Sequence, residues 1–399
     1  LTIHFPTTFT TAPLTLTTQP VESATRTITL RAAGEWRFQV PTGSSVALKV
    51  LSGTAEKDGV ELAARHAYKF SGIKSKILTW HGCELQVEGR CEAEAVAEYP
   101  QPTANPATSY VNLHARLSEM RAAAASQRRE GPRILVAGPP SCGKTTLVRT
   151  LTSYATRQGH QPIVVNADPS EGMLSLAGTL SASVFATVMD AEAVDGWGST
   201  PTSGPSTVPV KLPLVYYYGR ESAEEDAEVY RELIGKLAGA VSGRLSDDAD
   251  VKSSGVIVDT MGVNNASSRG LDLLAHVVDE LSGTFLLDRG LAVKVLTRLT
   301  VNIVITLGTA PVCSQISKRF ANEKTTLGED IQVVSLDQSD GVVDQSDMFL
   351  QHTREAAIKE YFFGDARRTL SPQIQQVDFG SVVIYRLPDC KAPYIPFVG

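Results

Sequence analysis

The sequence predicts an α/β protein whose larger part is a mostly parallel sheet covered by helices on both faces, with a small all-β domain ahead of it. Three observations lead there. From about residue 108 to residue 368, apolar runs of strand length alternate with stretches of helical periodicity. One of those runs, Ile134-Leu135-Val136-Ala137, enters a glycine-containing loop, and a pattern through Leu147, Leu151 and Tyr154 leaves it as a helix. Residues 29–98 instead show short alternating runs with glycine turns between them, at Gly53, Gly59, Gly72, Gly82 and Gly89, as in a sandwich or barrel.

Taken in order, residues 1–28 are rich in Thr and Pro without sustained periodicity, the composition of a flexible lead. In the β domain, Trp36 to Val40, then Val46, Leu48 and Val50, then Ile77 to Trp80, then Leu85 and Val87 read as strands. Pro100, Pro102 and Pro106 mark 99–107 as a linker. Leu113, Leu117 and Met120 recur at helical spacing up to Ala125, and the break Arg128 to Pro132 ends that helix. Further strands follow at Pro162 to Ala167, Gly255 to Thr260, Val301 to Leu307 and Ile331 to Val334, with helices over Glu224 to Leu237 and Leu271 to Leu281. Val194 to Lys211 is a long polar loop, of the kind that is usually functional or mobile. Residues 369–399 read as the start of a small C-terminal domain, with one strand at Val382 to Tyr385.

Composition narrows the function classes. The chain of 399 residues has 37 lysines and arginines against 43 aspartates and glutamates, a net charge of −6 that excludes a polybasic nucleic-acid binder but not a local basic groove. Its five cysteines are odd in number and scattered without a C-x-x-C pair, which fits a reducing compartment and no structural zinc. No apolar run reaches the ~20 residues of a membrane span, and nothing reads as a signal peptide, so the expectation is a soluble intracellular protein without a membrane partner. The opening at Leu1, without an initiator Met, suggests a piece of a longer chain.

Gly138-Pro139-Pro140-Ser141-Cys142-Gly143-Lys144-Thr145 fits G-x-x-x-x-G-K-[ST] in the strand, loop and helix context the P-loop requires. Such a turn points successive backbone N–H groups at phosphate oxygens, and the following helix aims its positive end at the same charge. Gly138, Ser141, Cys142, Gly143 and Thr146 are therefore expected to cradle a triphosphate, Lys144 to lie on its β- and γ-phosphates, and the Thr145 hydroxyl to meet Mg²⁺. Asp168 and Asp259 each end an apolar strand, where a carboxylate reaches the metal shell. An aspartate there can equally cap the next turn. No N-K-x-D guanine-reading tetrapeptide follows, which favours ATP. Cys142 reads as filler in the loop, and Trp197 as an aromatic docked on the surface.

These residues, with Leu78 to Cys83, Gly131 to Ile134, Pro213 to Tyr217 with Gly219, and Ile358 to Gly364, resemble the polynucleotide 5′-hydroxyl kinase family. The similarity runs from about Glu35 to Tyr385 and is greatest to the mRNA cleavage and polyadenylation factor branch, in its fungal, non-catalytic form. The resemblance implies a β domain, a central P-loop domain and a C-terminal domain, with Glu35 and Lys74 of the first reaching over to the adenine.

Three departures from the active pattern stand out. Active members read D-x-G-Q where this chain has Asp168-Pro169-Ser170-Glu171. They carry a base-stacking Trp where Val263 stands, and lid arginines where Gln345, Leu350 and Gln351 stand, leaving Arg354. Loss of a lid arginine costs a factor of ~10³ or more in phosphoryl transfer. The resemblance thus implies a nuclear subunit that keeps ATP and Mg²⁺ as a structural cofactor and assembles with protein subunits of the cleavage and polyadenylation factor. The alternative is an active RNA 5′-hydroxyl kinase, with RNA as partner and Asp168 as catalytic base. An unrelated ATPase switch is the third reading. Residues 283–300 form an extra run against the family pattern and carry no assigned role.

Overall fold

The computed structural model describes residues 25–383, apart from Thr42, Leu174, 194–196, 198–212, 265–266, 283–300, 309–310, 325–329, 343–346 and 365–368. Strands β1 (Thr25–Leu30), β2 (Glu35–Val40), β3 (Val46–Gly53), β4 (Glu56–Lys57), β5 (Val60–Glu61), β6 (Ala67–Phe70), β7 (Ile73–Leu78), β8 (Cys83–Glu88) and β9 (Ala93–Ala97) come first. They form two antiparallel sheets, ordered β1-β8-β3-β6 and β5-β4-β7-β2-β9. Alternate side chains such as Val46, Leu48 and Val50 on β3, and Trp36 and Phe38 with rings stacked 4.3 Å apart, fill the space between the sheets.

The central domain follows with α1 (Ala107–Ser126), β10 (Arg133–Ala137), α2 (Lys144–Arg157), β11 (Ile163–Ala167), β12 (Thr179–Val184), β13 (Leu214–Tyr217), α3 (Ala227–Asp247) and α4 (Ala249–Ser254). It continues with β14 (Val256–Thr260), α5 (Ser268–Ser282), β15 (Ile303–Leu307), α6 (Pro311–Phe320), β16 (Gln332–Leu336) and α7 (Asp347–Phe363). Strands β11, β14, β10, β15 and β16 lie parallel in that order, and β12 and β13 extend the sheet beyond β11 antiparallel. The order places β14, which ends in Asp259 and Thr260, directly beside the loop-bearing β10.

Both faces of this sheet are buried, which is why its strands are continuous apolar runs rather than alternating ones. Ile134 and Val136 of β10 pack with Leu147 and Leu151 of α2, whereas Leu135 and Ala137 pack with residues of α3, α5 and α6. The first cluster does not stop at the sheet: Trp36, Phe38, Leu78 and Leu85 of the sandwich belong to it, with Leu113 and Leu117 of α1 between.

The β4–β5 turn anchors the sandwich on α2. Gly59 has φ +80°, and a Cβ there would stand 2.9 Å from the Thr150 carbonyl oxygen, so the turn lies almost backbone to backbone on the helix. The Tyr154 hydroxyl donates to Glu56, and Arg157 pairs with Glu61 at 2.7 Å. Asp58 sits between Lys57 at 3.4 Å and Arg149 at 3.7 Å. Burial alone would raise the Asp58 pKa, but these two cations overcome it and hold it below the usual carboxylate range.

Several expectations are revised. Strand β1 begins at Thr25, inside the stretch read as a flexible lead, because its residues complete a ladder against β8. Val382 and Val383 are not in a strand; they follow a 3₁₀ turn at Phe379–Ser381. Ile384 and Tyr385, the segment 283–300 and all of the loop Val194 to Lys211 except Trp197 lie outside the described residues. Trp197 itself is fully buried, its ring 5.3 Å from that of Phe185, so it anchors the core rather than lying on the surface. Among the described residues no helix is long and apolar enough to cross a membrane, and the four described cysteines form no disulfide.

Candidate functional site: a phosphate cradle at the head of the parallel sheet

The phosphate loop joins the end of β10 to α2. Gly138 is required by space, since a Cβ there would come 2.9 Å from Cys142 Sγ and 3.0 Å from the Leu307 carbonyl oxygen. Ser141 at φ 54° and Gly143 at φ 92° turn the chain through the left-handed region, the geometry that gathers successive amides into an anion-binding concavity. No side chain caps the N-terminus of α2, so its first-turn amides remain for an external anion. Lys144 is buried and folds back over the loop, its Nζ donating to the Pro139 carbonyl at 3.1 Å. Cys142 is buried, and burial pushes its thiol pKa up, which fits packing rather than reactivity.

The Thr145 hydroxyl stands between two carboxylates, 2.5 Å from Asp259 Oδ2 and 3.1 Å from Glu171 Oε2. It has one proton, so one close oxygen is left for something other than that hydroxyl. Asp259 is 2 % exposed, and its Oδ1 has no hydrogen-bond partner. A buried orphaned carboxylate oxygen beside a threonine hydroxyl and across from a phosphate cradle is a donor set suited to a hard divalent cation. Among the described residues no three His, Cys, Asp or Glu side chains are grouped to hold a metal unaided, so a cation here needs phosphate oxygens to complete its shell. Magnesium fits those terms.

Burial raises the Asp259 pKa to about 7, with Lys144 pulling it down and Glu171 pushing it up. The folded state therefore holds a proton on Asp259 that the unfolded chain has released, in the window between about pH 4 and pH 7. Without metal and nucleotide, this group makes stability fall as pH rises through that window. Expected outcome: Asp259→Asn raises the melting temperature of nucleotide-free protein at pH 7.5, has little effect at pH 4.5, and abolishes the extra stabilisation by Mg²⁺ with ATP. Thermal melts at both pH values check it.

Asp168 uses Oδ1 locally, accepting from the Ser170 amide at 2.9 Å and the Ser170 hydroxyl at 2.6 Å. Arg354 of α7 lies over this turn, its Nη2 donating to the Ser170 carbonyl at 3.3 Å and its Nη1 pairing with Glu221 at 2.7 Å. The lid arginine that the sequence retains is thus engaged by a carboxylate. Gln351 donates to Glu355 along α7, and Gln345 is outside the described residues. Val263 is fully buried and its amide donates to the Gly138 carbonyl at 3.0 Å, so this position braces the loop.

Glu35 is fully buried on β2, paired with Lys76 at 2.6 Å and Arg37 at 3.1 Å. Its nearest cation on β7 is therefore Lys76; Lys74 stands one pair further along, opposite Gln39, and half-buried. Arg37 also donates to the Tyr99 hydroxyl at 2.9 Å, and a Cβ on Gly341 would come 2.8 Å from Arg37 Nε. Tyr110 connects the two domains: burial holds its hydroxyl pKa well above the ordinary range, and the neighbouring Cys142 and Glu35 add to the rise. So the edge of the sandwich carrying Glu35 stands near the phosphate loop.

Two site residues escaped the sequence reading. Gly262 touches the loop so closely that a Cβ would lie 2.7 Å from Pro140 backbone atoms. Glu171 was visible as an acid out of pattern, but its contact with Thr145 depends on how β11 and α2 are placed side by side.

A phosphate-binding loop at the head of a parallel sheet, with an acidic strand end beside it and a β-sandwich docked on the loop's helix, defines a P-loop nucleotide-binding protein. Residues 29–124 match the N-terminal beta-sandwich domain of polyadenylation factor, and residues 138–290 match the mRNA cleavage and polyadenylation factor CLP1 P-loop. The chain is 47 % identical over 379 residues to the mRNA cleavage and polyadenylation factor CLP1 of Pyricularia oryzae, covering 94 % of this chain and 78 % of that one. To its counterpart in Botryotinia fuckeliana it is 46 % identical, covering 92 % and 74 %. The chain belongs to the CLP1 family of mRNA cleavage and polyadenylation factors. Two solved structures share its fold at 27 % identity. One is wild-type Clp1p in complex with Pcf11p, at TM-score 0.72, covering 88 % of this chain and 75 % of that one. The other, at TM-score 0.73 and covering 90 % and 77 %, describes an extended interface between Pcf11p and Clp1p and the structural basis for ATP loss in a glycine-to-arginine point mutant.

Proposed function

We propose that this chain is a nuclear, non-catalytic subunit of the pre-mRNA 3′-end cleavage and polyadenylation machinery that holds ATP with Mg²⁺ as a structural cofactor. The observation that carries the reading is the pairing of a complete phosphate cradle with disarmed transfer machinery: Arg354 is tied to Glu221 beside the cradle. In this reading Lys144 and the loop amides hold the phosphates, Thr145 and Asp259, hydrogen-bonded to each other, hold the cation, and Asp168 is the further expected member of its shell. When bound, Mg²⁺ supplies charge neutralisation on the phosphates. In this reading Glu35 and Lys74 of the sandwich edge are the residues that meet the adenine, and Glu35 is held by Lys76 and Arg37. A relative of this fold is solved with Pcf11p, and a counterpart of that protein is the partner expected here.

The nucleotide then works by mass action. A ligand bound only by the closed arrangement of sandwich and P-loop domain stabilises that arrangement, and the surface it presents, in proportion to the logarithm of its excess over Kd. Denaturing the purified protein and identifying what it releases tests this reading: ATP in near-stoichiometric amount is expected. ADP, or transfer of labelled phosphate to a 5′-OH oligoribonucleotide that Lys144→Ala abolishes, would establish the kinase instead.

A further inference from the structure

We propose that Glu171 is an additional ligand of the divalent cation, so that this chain holds its nucleotide far more tightly as the metal complex than without the metal. The inference rests on the nucleotide-holding reading above and adds to it a residue that the motif alone does not supply.

The geometry starts from Thr145. Its hydroxyl is the group a P-loop offers to the cation, and Glu171 Oε2 lies 3.1 Å from it. Opposite stands Asp259, nearly fully buried, with one oxygen unpartnered. A cation seated at Thr145 and that orphaned oxygen is therefore within the sweep of the Glu171 carboxylate. Glu171 is exposed as a residue, and its backbone is fixed. The Asn166 amide donates to the Glu171 carbonyl at 3.1 Å, the Met173 amide to the same oxygen at 2.9 Å, and Arg354 holds the neighbouring Ser170 carbonyl. The turn is braced from below and above, with its acid facing the cradle.

Charge makes the contact consequential. Asp168, Glu171 and Asp259 lie within electrostatic reach of one another and of Lys144; Arg149, also within reach, is drawn toward Asp58. A bare triphosphate brings about four further negative charges into this field and is repelled. A hard divalent cation reverses the balance, because magnesium accepts one or two carboxylates together with substrate phosphates. A glutamine at 171 would offer only a weak carbonyl ligand and no charge.

The test uses the full chain stripped of nucleotide, wild type against Glu171→Gln. The Mn²⁺ affinity of ATP-saturated protein is measured from the free Mn²⁺ resonance, and ATP affinity by calorimetry in Mg²⁺ and in EDTA. Glu171→Gln is expected to weaken Mn²⁺ at least ten-fold and to tighten metal-free ATP several-fold. Glu171→Asp, charged but one methylene short, is expected to keep the metal-free repulsion and still lose Mn²⁺ affinity. Unchanged Mn²⁺ affinity in Glu171→Gln overturns the proposal, even if metal-free ATP tightens, since that would be charge without ligation. Wild-type protein that takes up no ATP with or without Mg²⁺ overturns the nucleotide-holding reading itself.

Discussion

Lys144→Ala is expected to purify without nucleotide and to melt several degrees below the wild type. The ammonium is buried and already folded over the loop by its bond to Pro139, so removing it takes away the side-chain cation expected to meet the phosphates. At an ATP concentration a thousand times Kd, ligand binding contributes about 4 kcal/mol to the folded state. Most of that is lost with the nucleotide. Adding millimolar ATP and Mg²⁺ should then raise the melting temperature of the wild type and leave that of Lys144→Ala where it was. If both shift alike, the cradle is not what binds the nucleotide.

Gly59→Val is expected to lower both the stability of the protein and its affinity for ATP. Two costs add. A left-handed residue at φ +80° costs an L side chain about 1–2 kcal/mol, more when it is β-branched. The new Cβ would also stand 2.9 Å from the Thr150 carbonyl oxygen, 3.0 Å from Ser153 Cβ and 3.1 Å from a Tyr154 ring carbon, and overpacking of that kind costs about 1–3 kcal/mol more. The collision falls on the helix that carries Lys144 and Thr145, so ATP affinity should drop with stability. Gly43→Val is the control: its φ is +86° and nothing lies within 4 Å of its Cβ, so it carries the backbone cost without the wedge. Comparing chemical unfolding and ATP affinity of the two variants separates strain from undocking. Equal behaviour would mean that the turn does not hold the sandwich to the loop.

The parallel sheet was legible because its strands are buried on both faces and read as unbroken apolar runs, each long enough to stand out between helices. Strands β12 and β13 were not, and the reason differs for each. Thr179 to Val184 is buried throughout, yet alternates Thr179, Ser181 and Ser183 with Leu180, Ala182 and Val184, so half its positions are hydroxyl residues that hide the burial. Leu214 to Tyr217 is a short edge strand, part exposed, with no periodicity to find. Helix α6 follows β15 across three intervening residues, so the pattern gave no linker to mark its start. In the site, the phosphate loop announces itself because local sequence makes it: positive φ at Gly143 and the tight approach at Gly138 are needs of single residues. The Lys76 partner of Glu35 could not be read that way. Lys74 and Lys76 share a face of β7, and only the register against β2 decides which one meets the acid.

The apolar cluster that begins in the sandwich, passes through α1 and ends among the strands under the phosphate loop has an evolutionary consequence. A boundary can be drawn in the chain near residue 98, but none can be drawn through the packing. Such a sandwich is not a module that can be shuffled onto another P-loop protein and keep its place; its inner residues and those of the neighbouring helices must drift together. Exchange between relatives should therefore succeed when the sandwich travels with α1 and α2, and fail when it travels alone.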